Sequence, residues 1–237
     1  MRTASMGRRS ALAAERAIEM AANRTSTSLP LVVLVGDSRM DSVVRAIKPK
    51  GSIAFAESVT LGDFGEASVL FLTSDTLPSL QFLNPFTDSI MALAPRLIAV
   101  QAEMLVPNSA RIKRIGDHRP IAQGGLGQRG GTLAQWRAQE PPEAGLDFTV
   151  GERWAAAAAA ASIPMLYLEI PLSVSVMAVV PDGYFEARRA LLTPLGGAFV
   201  RLGEPLADDH FRDLRHVNRV GRDAVQILLV TELARHL

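Results

Sequence analysis

Two short segments carry residue types that could do chemistry, and they lie far apart in the chain. The first is Gly36-Asp37-Ser38, which closes the apolar run 31–35. A serine at a strand end can present its hydroxyl at the rim of a sheet. Its backbone N–H, at the start of a following helix, favours developing negative charge. A plainer reading stands beside this one, because Asp and Ser are the usual helix caps. The second segment is Asp213-Leu214-Arg215-His216. An Asp and a His three residues apart fit on one turn, where the carboxylate orients the imidazole. A serine hydroxyl is a poor nucleophile until a base takes its proton, and a carboxylate-held His is such a base near neutral pH. The plainer reading here is a cap at Asp213 and a surface residue at His216.

These groups need a scaffold, and the chain alternates apolar runs with helical stretches. Strands are expected at 31–35, 52–59, 96–101, 165–170 and 198–202, the runs at 31–35 and 96–101 being nearly continuous in apolar residues. Such runs suit strands buried on both faces. Helices are expected over 11–22, 41–47, 88–94, 152–161 and 220–237, the fourth carrying seven consecutive alanines. Alanine has the best helix propensity and lets a helix lie close to a sheet. Gly62-Asp63-Phe64-Gly65 reads as a turn. Strand–helix alternation implies βαβ units and a parallel sheet. The fold class expected is therefore α/β, with a five-stranded, mostly parallel sheet. Residues 1–29 read as an amphipathic helix and linker, and residues 30–237 as one domain.

One stretch breaks the pattern. Residues 105–151 are rich in Gly, Pro, Arg and Gln, and between Arg111 and Arg137 six basic residues face only Asp117. Insertions of this length are usually functional loops or disordered segments. Here the choice lies between a surface loop and a lid that contacts an anionic substrate.

Composition excludes several classes. The 237 residues include no Cys, so a disulfide scaffold, a zinc–thiolate site and a cysteine nucleophile are ruled out. A net charge of +1 gives no basic excess of the kind nucleic-acid binders show. Four His with no ligand spacing suggest no metal, and no cofactor is expected. No window of 18 apolar residues suggests a membrane span. The basic start, with Arg8 and Arg9, is followed by Glu15, Arg16 and Glu19 rather than an apolar export signal. The sequence therefore reads as cytoplasmic, with a periplasmic or secreted location as the alternative. No Gly-x4-Gly-Lys loop occurs, which argues against a nucleotide-binding module of that type.

Taken together, Gly36-Asp37-Ser38 and the tail 211–222, with Asp213-x-x-His216-x-Asn218 and Gly221, resemble the SGNH (GDSL-type) hydrolase family. The resemblance runs from about Leu31 to the end of the chain, and the order Ser, Asp, His fits it. It implies a flavodoxin-like three-layer α/β/α sandwich and a serine esterase working through an acyl-enzyme. In that reading Ser38 is the nucleophile, His216 the general base and acid, and Asp213 the carboxylate that orients it. The substrate is a carboxylic ester, such as an O-acyl group on a carbohydrate. An acyltransferase of the same fold, or a non-catalytic glycan- or protein-binding module, is the alternative. The family's oxyanion hole would draw on the Ser38 N–H, on Gly65 and on a third donor. Its Gly-x-Asn-Asp block is missing, so Gln101 stands in as that donor, with Asn108 a weaker substitute. Asp37, Arg39, Asn108 and His210 are candidate substrate contacts.

Overall fold

The computed structural model describes residues 2–44, 55–73, 84–102, 149–178, 180, 182–213 and 216–237. Most of the basic stretch at 105–151 lies outside them. Six strands form one sheet in the order β2-β3-β1-β4-β5-β6. They are β1 (Leu31–Gly36), β2 (Phe55–Thr60), β3 (Glu66–Thr73), β4 (Leu97–Gln101), β5 (Met165–Glu169) and β6 (Ala198–Arg201). β1 pairs in parallel with β3 and β4, and β5 in parallel with β4 and β6. The five strands expected from sequence are all present, and β3 is added.

β2 and β3 form an antiparallel hairpin, so the sheet is mixed rather than all parallel. The hairpin turns through Gly62–Phe64 and is closed by Leu61 N donating to Gly65 O at 2.8 Å. Gly62 (φ 62°) and Gly65 (φ 94°) sit in the positive-φ region that the turn requires. β2 lies at the sheet edge and carries a register shift between Ala56 and Val59, with Ser58 at φ 53°. A bulge of this kind blunts an edge strand against pairing with other chains.

β1, β4 and β5 are buried along their whole length, as strands covered on both faces must be. Their side chains divide between two apolar clusters. Val33, Val35, Ile98, Val100, Met165 and Tyr167 pack on one face against α1 (Arg2–Ala22), α3 (Thr87–Ala92) and α4 (Thr149–Ala160). Val32, Leu34, Leu97, Ala99, Leu166 and Leu168 pack on the other, against α2 (Ser38–Val44) and the last helix, α7 (Arg219–Arg235). Between β5 and β6 lie two further helices, α5 (Val174–Met177) and α6 (Tyr184–Leu192), which the sequence patterns did not reveal.

α1 buries Ala14, Ala17, Ile18 and Ala21, the i, i+3, i+4, i+7 face, in the same cluster as β1 and β3. The N-terminal helix thus packs into the same core as the sheet. Trp154 of α4 is fully buried beside it. Tyr167 buries its ring there and donates its hydroxyl to Gly196 O at 2.7 Å. Burial pushes its phenol up to about 12, so it stays a neutral donor at physiological pH.

Among the described residues no helix is long and apolar enough to cross a membrane.

Candidate active site

The register lines up the carboxyl ends of the five parallel strands. Thr73, Gly36, Gln101, Glu169 and Arg201 mark one edge of the sheet. Ligands of open α/β sheets bind outside that edge. Both segments singled out in the sequence leave the sheet there: Asp37-Ser38 directly after β1, and 202–218 after β6.

The turn from β1 into α2 is tight. A Cβ on Gly36 would stand 2.2 Å from Met40 Cβ and 3.0 Å from Gln101 Oε1, so only glycine fits. Asp37 N donates to Gln101 Oε1 at 3.0 Å, and Asp37 O accepts from Asp41 N at 3.0 Å. Asp37 Oδ1 accepts from Arg39 N at 2.8 Å. Asp37 is therefore the N-cap, and Ser38 is the first helical residue of α2. One carboxylate oxygen of Asp37 thus serves the helix start.

The second segment is a closed loop. Phe211 and Val217 form an antiparallel bridge, and Arg212 N donates to His216 O at 3.0 Å. Inside it, His216 Nδ1 faces both carboxylate oxygens of Asp213, at 3.0 and 2.9 Å. His216 N also donates to Asp213 Oδ1 at 2.7 Å. The side chains remain partly accessible, at 21% for His216 and 31% for Asp213. An acceptor pair at Nδ1 holds the proton there and leaves Nε2 as the basic nitrogen, the tautomer a general base needs.

Phe211 and Val217 anchor this loop in the cluster that also holds Met40 and Val43 of α2 and Val225 and Leu229 of α7. One apolar core thus positions the helix that begins at Ser38 and the loop that carries Asp213 and His216.

The remaining motif residues in the tail have physical roles. Asn218 caps α7, accepting from Val220 N at 2.9 Å and Gly221 N at 3.1 Å, and its amide donates to Asp209 O. Gly221 is pressed against the 3-10 turn Asp208–His210, where a Cβ would meet His210 O at 2.2 Å. That turn is in turn tied to α5, because Asp208 accepts from Ser175 N at 3.1 Å and from the Ser175 hydroxyl.

The other expected residues fare differently. Gln101, at 1% exposure, does sit beside the Ser38-bearing turn, held there through Oε1. Gly65 does not: it precedes β3, whose other end, Thr73, is the one level with Gly36. About eight strand residues, some 25 Å, separate the two ends. Gly65 therefore stands at the far end of the sheet from Ser38, and an oxyanion role for it has no geometric support. Arg39 is only 2% exposed and donates through Nη2 to Ile170 O at 3.1 Å, so it faces the interior. His210 pairs its ring with Asp209 at 2.8 Å. Asn108 lies outside the described residues.

Sequence reasoning missed one buried charge pair at the same edge. Arg188 of α6 meets Glu169 at 2.8 Å, with side-chain exposures of 2% and 3%. Arg188 also donates to the Tyr184 hydroxyl and lies 4.6 Å from that ring's centroid. The signal available was a glutamate closing a wholly apolar strand. A buried carboxylate of that kind demands a cationic partner.

No protein-family model matches the chain, and no curated protein matches its sequence.

Proposed function

We propose that this chain is a serine ester hydrolase of the SGNH type, with Ser38 as nucleophile, His216 as general base and acid, and Asp213 as its orienting carboxylate. The observation that carries the reading is the His216 ring held through Nδ1 on both Asp213 oxygens. Its loop is seated in the same core as the helix that begins at Ser38. Strand order supports it as well. With the edge strand β2 set aside, the parallel strands follow the flavodoxin-like order, two before one and then three, four and five. Apolar cores on both faces, each covered by helices, fit the three-layer sandwich.

In this mechanism Ser38 Oγ attacks the carbonyl carbon of a carboxylic ester while His216 Nε2 takes its proton. The tetrahedral oxyanion is stabilised by the Ser38 N–H and by the Gln101 side-chain amide, which is fixed in place through Oε1. Collapse expels the alcohol, which receives the proton from His216, and leaves an acyl-Ser38 ester. Water, deprotonated by His216, then attacks that ester, and His216 returns the proton to Ser38 Oγ as the Ser–acyl bond breaks and the carboxylic acid is released. An O-acylated carbohydrate is the substrate class proposed. Each oxyanion donor contributes typically about 3 kcal/mol to transition-state stabilisation. Two donors without the family's Asn block therefore sustain the reaction at a reduced rate.

The test is pre-steady-state hydrolysis of p-nitrophenyl acetate and butyrate. An acyl-enzyme predicts a burst of nitrophenol close to one equivalent per chain, followed by slower turnover. Folded protein that releases nitrophenol no faster than buffer overturns the proposal.

A further inference from the structure

Arg39 is one of the largest fully buried side chains in the protein, and it directly follows Ser38. A buried guanidinium is costly to desolvate, and capping does not explain it, because Asp37 already caps α2. The geometry shows what it joins. Its backbone N–H is held by Asp37 Oδ1, and its side chain crosses to the carbonyl of Ile170, the first residue past β5. Its own carbonyl accepts from the buried Ser42 hydroxyl at 2.7 Å. Arg39 thus connects the first turn of α2 to the carboxyl end of a strand two places away in the sheet, across β4. Gln101, at the end of β4, holds the same turn from the strand between, through Asp37 N.

We propose that Arg39 is a positioning residue that ties the Ser38-bearing turn to the end of β5 and so fixes where the Ser38 hydroxyl is presented. The inference rests on the serine-hydrolase reading above. A guanidinium suits the task because it is rigid, always charged and keeps several donors on one planar fork. A lysine ammonium is a single point charge on a flexible stem and reproduces the span poorly.

The experiment measures the second-order rate of labelling by a fluorophosphonate probe for wild type, Arg39→Lys, Arg39→Met and Arg39→Ala. It is run at a temperature where circular dichroism shows each variant folded. Misplacement of a reacting group by about 1 Å lowers rates by about 100-fold. Arg39→Met and Arg39→Ala are therefore expected to label about 30- to 100-fold more slowly, and Arg39→Lys about tenfold more slowly. Methylguanidine is expected to restore at least about a tenth of the lost rate in Arg39→Ala, and methylammonium to restore none. A role confined to stability would move the melting temperature and leave these rates and the rescue unchanged. If the non-conservative variants do not fold, Arg39→Lys alone decides, and wild-type labelling by it overturns the inference. Wild-type rates in all folded variants overturn it too, with the serine-hydrolase reading intact. A wild-type protein that is never labelled removes both.

Discussion

Replacing either Ser38 or His216 with alanine is expected to lower kcat for ester hydrolysis by about 10⁵- to 10⁶-fold. The double variant should be no slower than either single one, because nucleophile and base act as a unit and their effects do not add. Asp213→Asn should cost less, about 10⁴-fold. The reason is visible in the loop. Both Asp213 oxygens face His216 Nδ1, so they fix the proton on that nitrogen. An amide there presents an NH₂ group to Nδ1 and favours the opposite tautomer, with the proton on Nε2 and no base toward Ser38. His216 and Asp213 are partly exposed and sit on a loop, so these substitutions should leave the melting temperature within about 4 °C of wild type. Steady-state kinetics together with thermal melts check both halves of the expectation. An Asp213→Asn enzyme with unchanged kcat would show that the carboxylate does not orient the base.

Gly36→Ala should be strongly damaging for a single added methyl. The added Cβ would lie 2.2 Å from Met40 Cβ, and Met40 is fully buried with its own Cβ fixed to the α2 backbone. Neither side can yield by turning a side chain, so α2 must move off β1. Overpacking a tight core costs about 1–3 kcal/mol and more where backbone must shift. About 3 kcal/mol or more is expected here, which for a chain of this length lowers the melting temperature by about 6–12 °C. The same movement displaces Asp37 N from Gln101 and drags Ser38 with it, so activity should fall further than stability alone explains. Gly62→Ala is the contrast: it has open space around it and a left-handed backbone, and should cost only about 1–2 kcal/mol. Thermal denaturation of the two variants side by side reads the difference. Equal losses would mean that the close approach at Gly36 does not constrain the turn.

How much of this was legible in the sequence depends on what each residue's environment encodes. The runs at 31–35 and 165–170 announce strands because burial on both faces leaves a continuous apolar signature. β3 is harder, since Glu66 and Ser68 break the apolar pattern at its start. Its available signal was the Gly-bearing turn 62–65 between two runs, which marks a hairpin. Missing that hairpin had a direct consequence. Gly65 does follow the second strand, but that strand runs antiparallel to β3, so its end lies at the wrong end of the sheet for a site at Ser38. Strand direction is a property of pairing and is written in no single strand.

The burial of Arg39 was not legible for a related reason. An arginine beside a rim serine looks exposed, because arginines nearly always are. One of its buried partners is the carbonyl of Ile170, more than a hundred residues away in sequence. Asp213 and His216 were legible because their contact is local, three residues apart within one bridged loop. Gly221 and Asn218 likewise act on their own neighbourhood, one by admitting His210 and the other by capping α7.

The central claim is that Ser38 is an activated nucleophile, and mapping a fluorophosphonate adduct tests it most directly. The wild-type protein is labelled, digested and sequenced by mass spectrometry, with His216→Ala treated in parallel. The account predicts one adduct, on the peptide containing Ser38, and its loss in His216→Ala. A folded wild-type protein that takes up no probe, or takes it up at a residue other than Ser38, would contradict it.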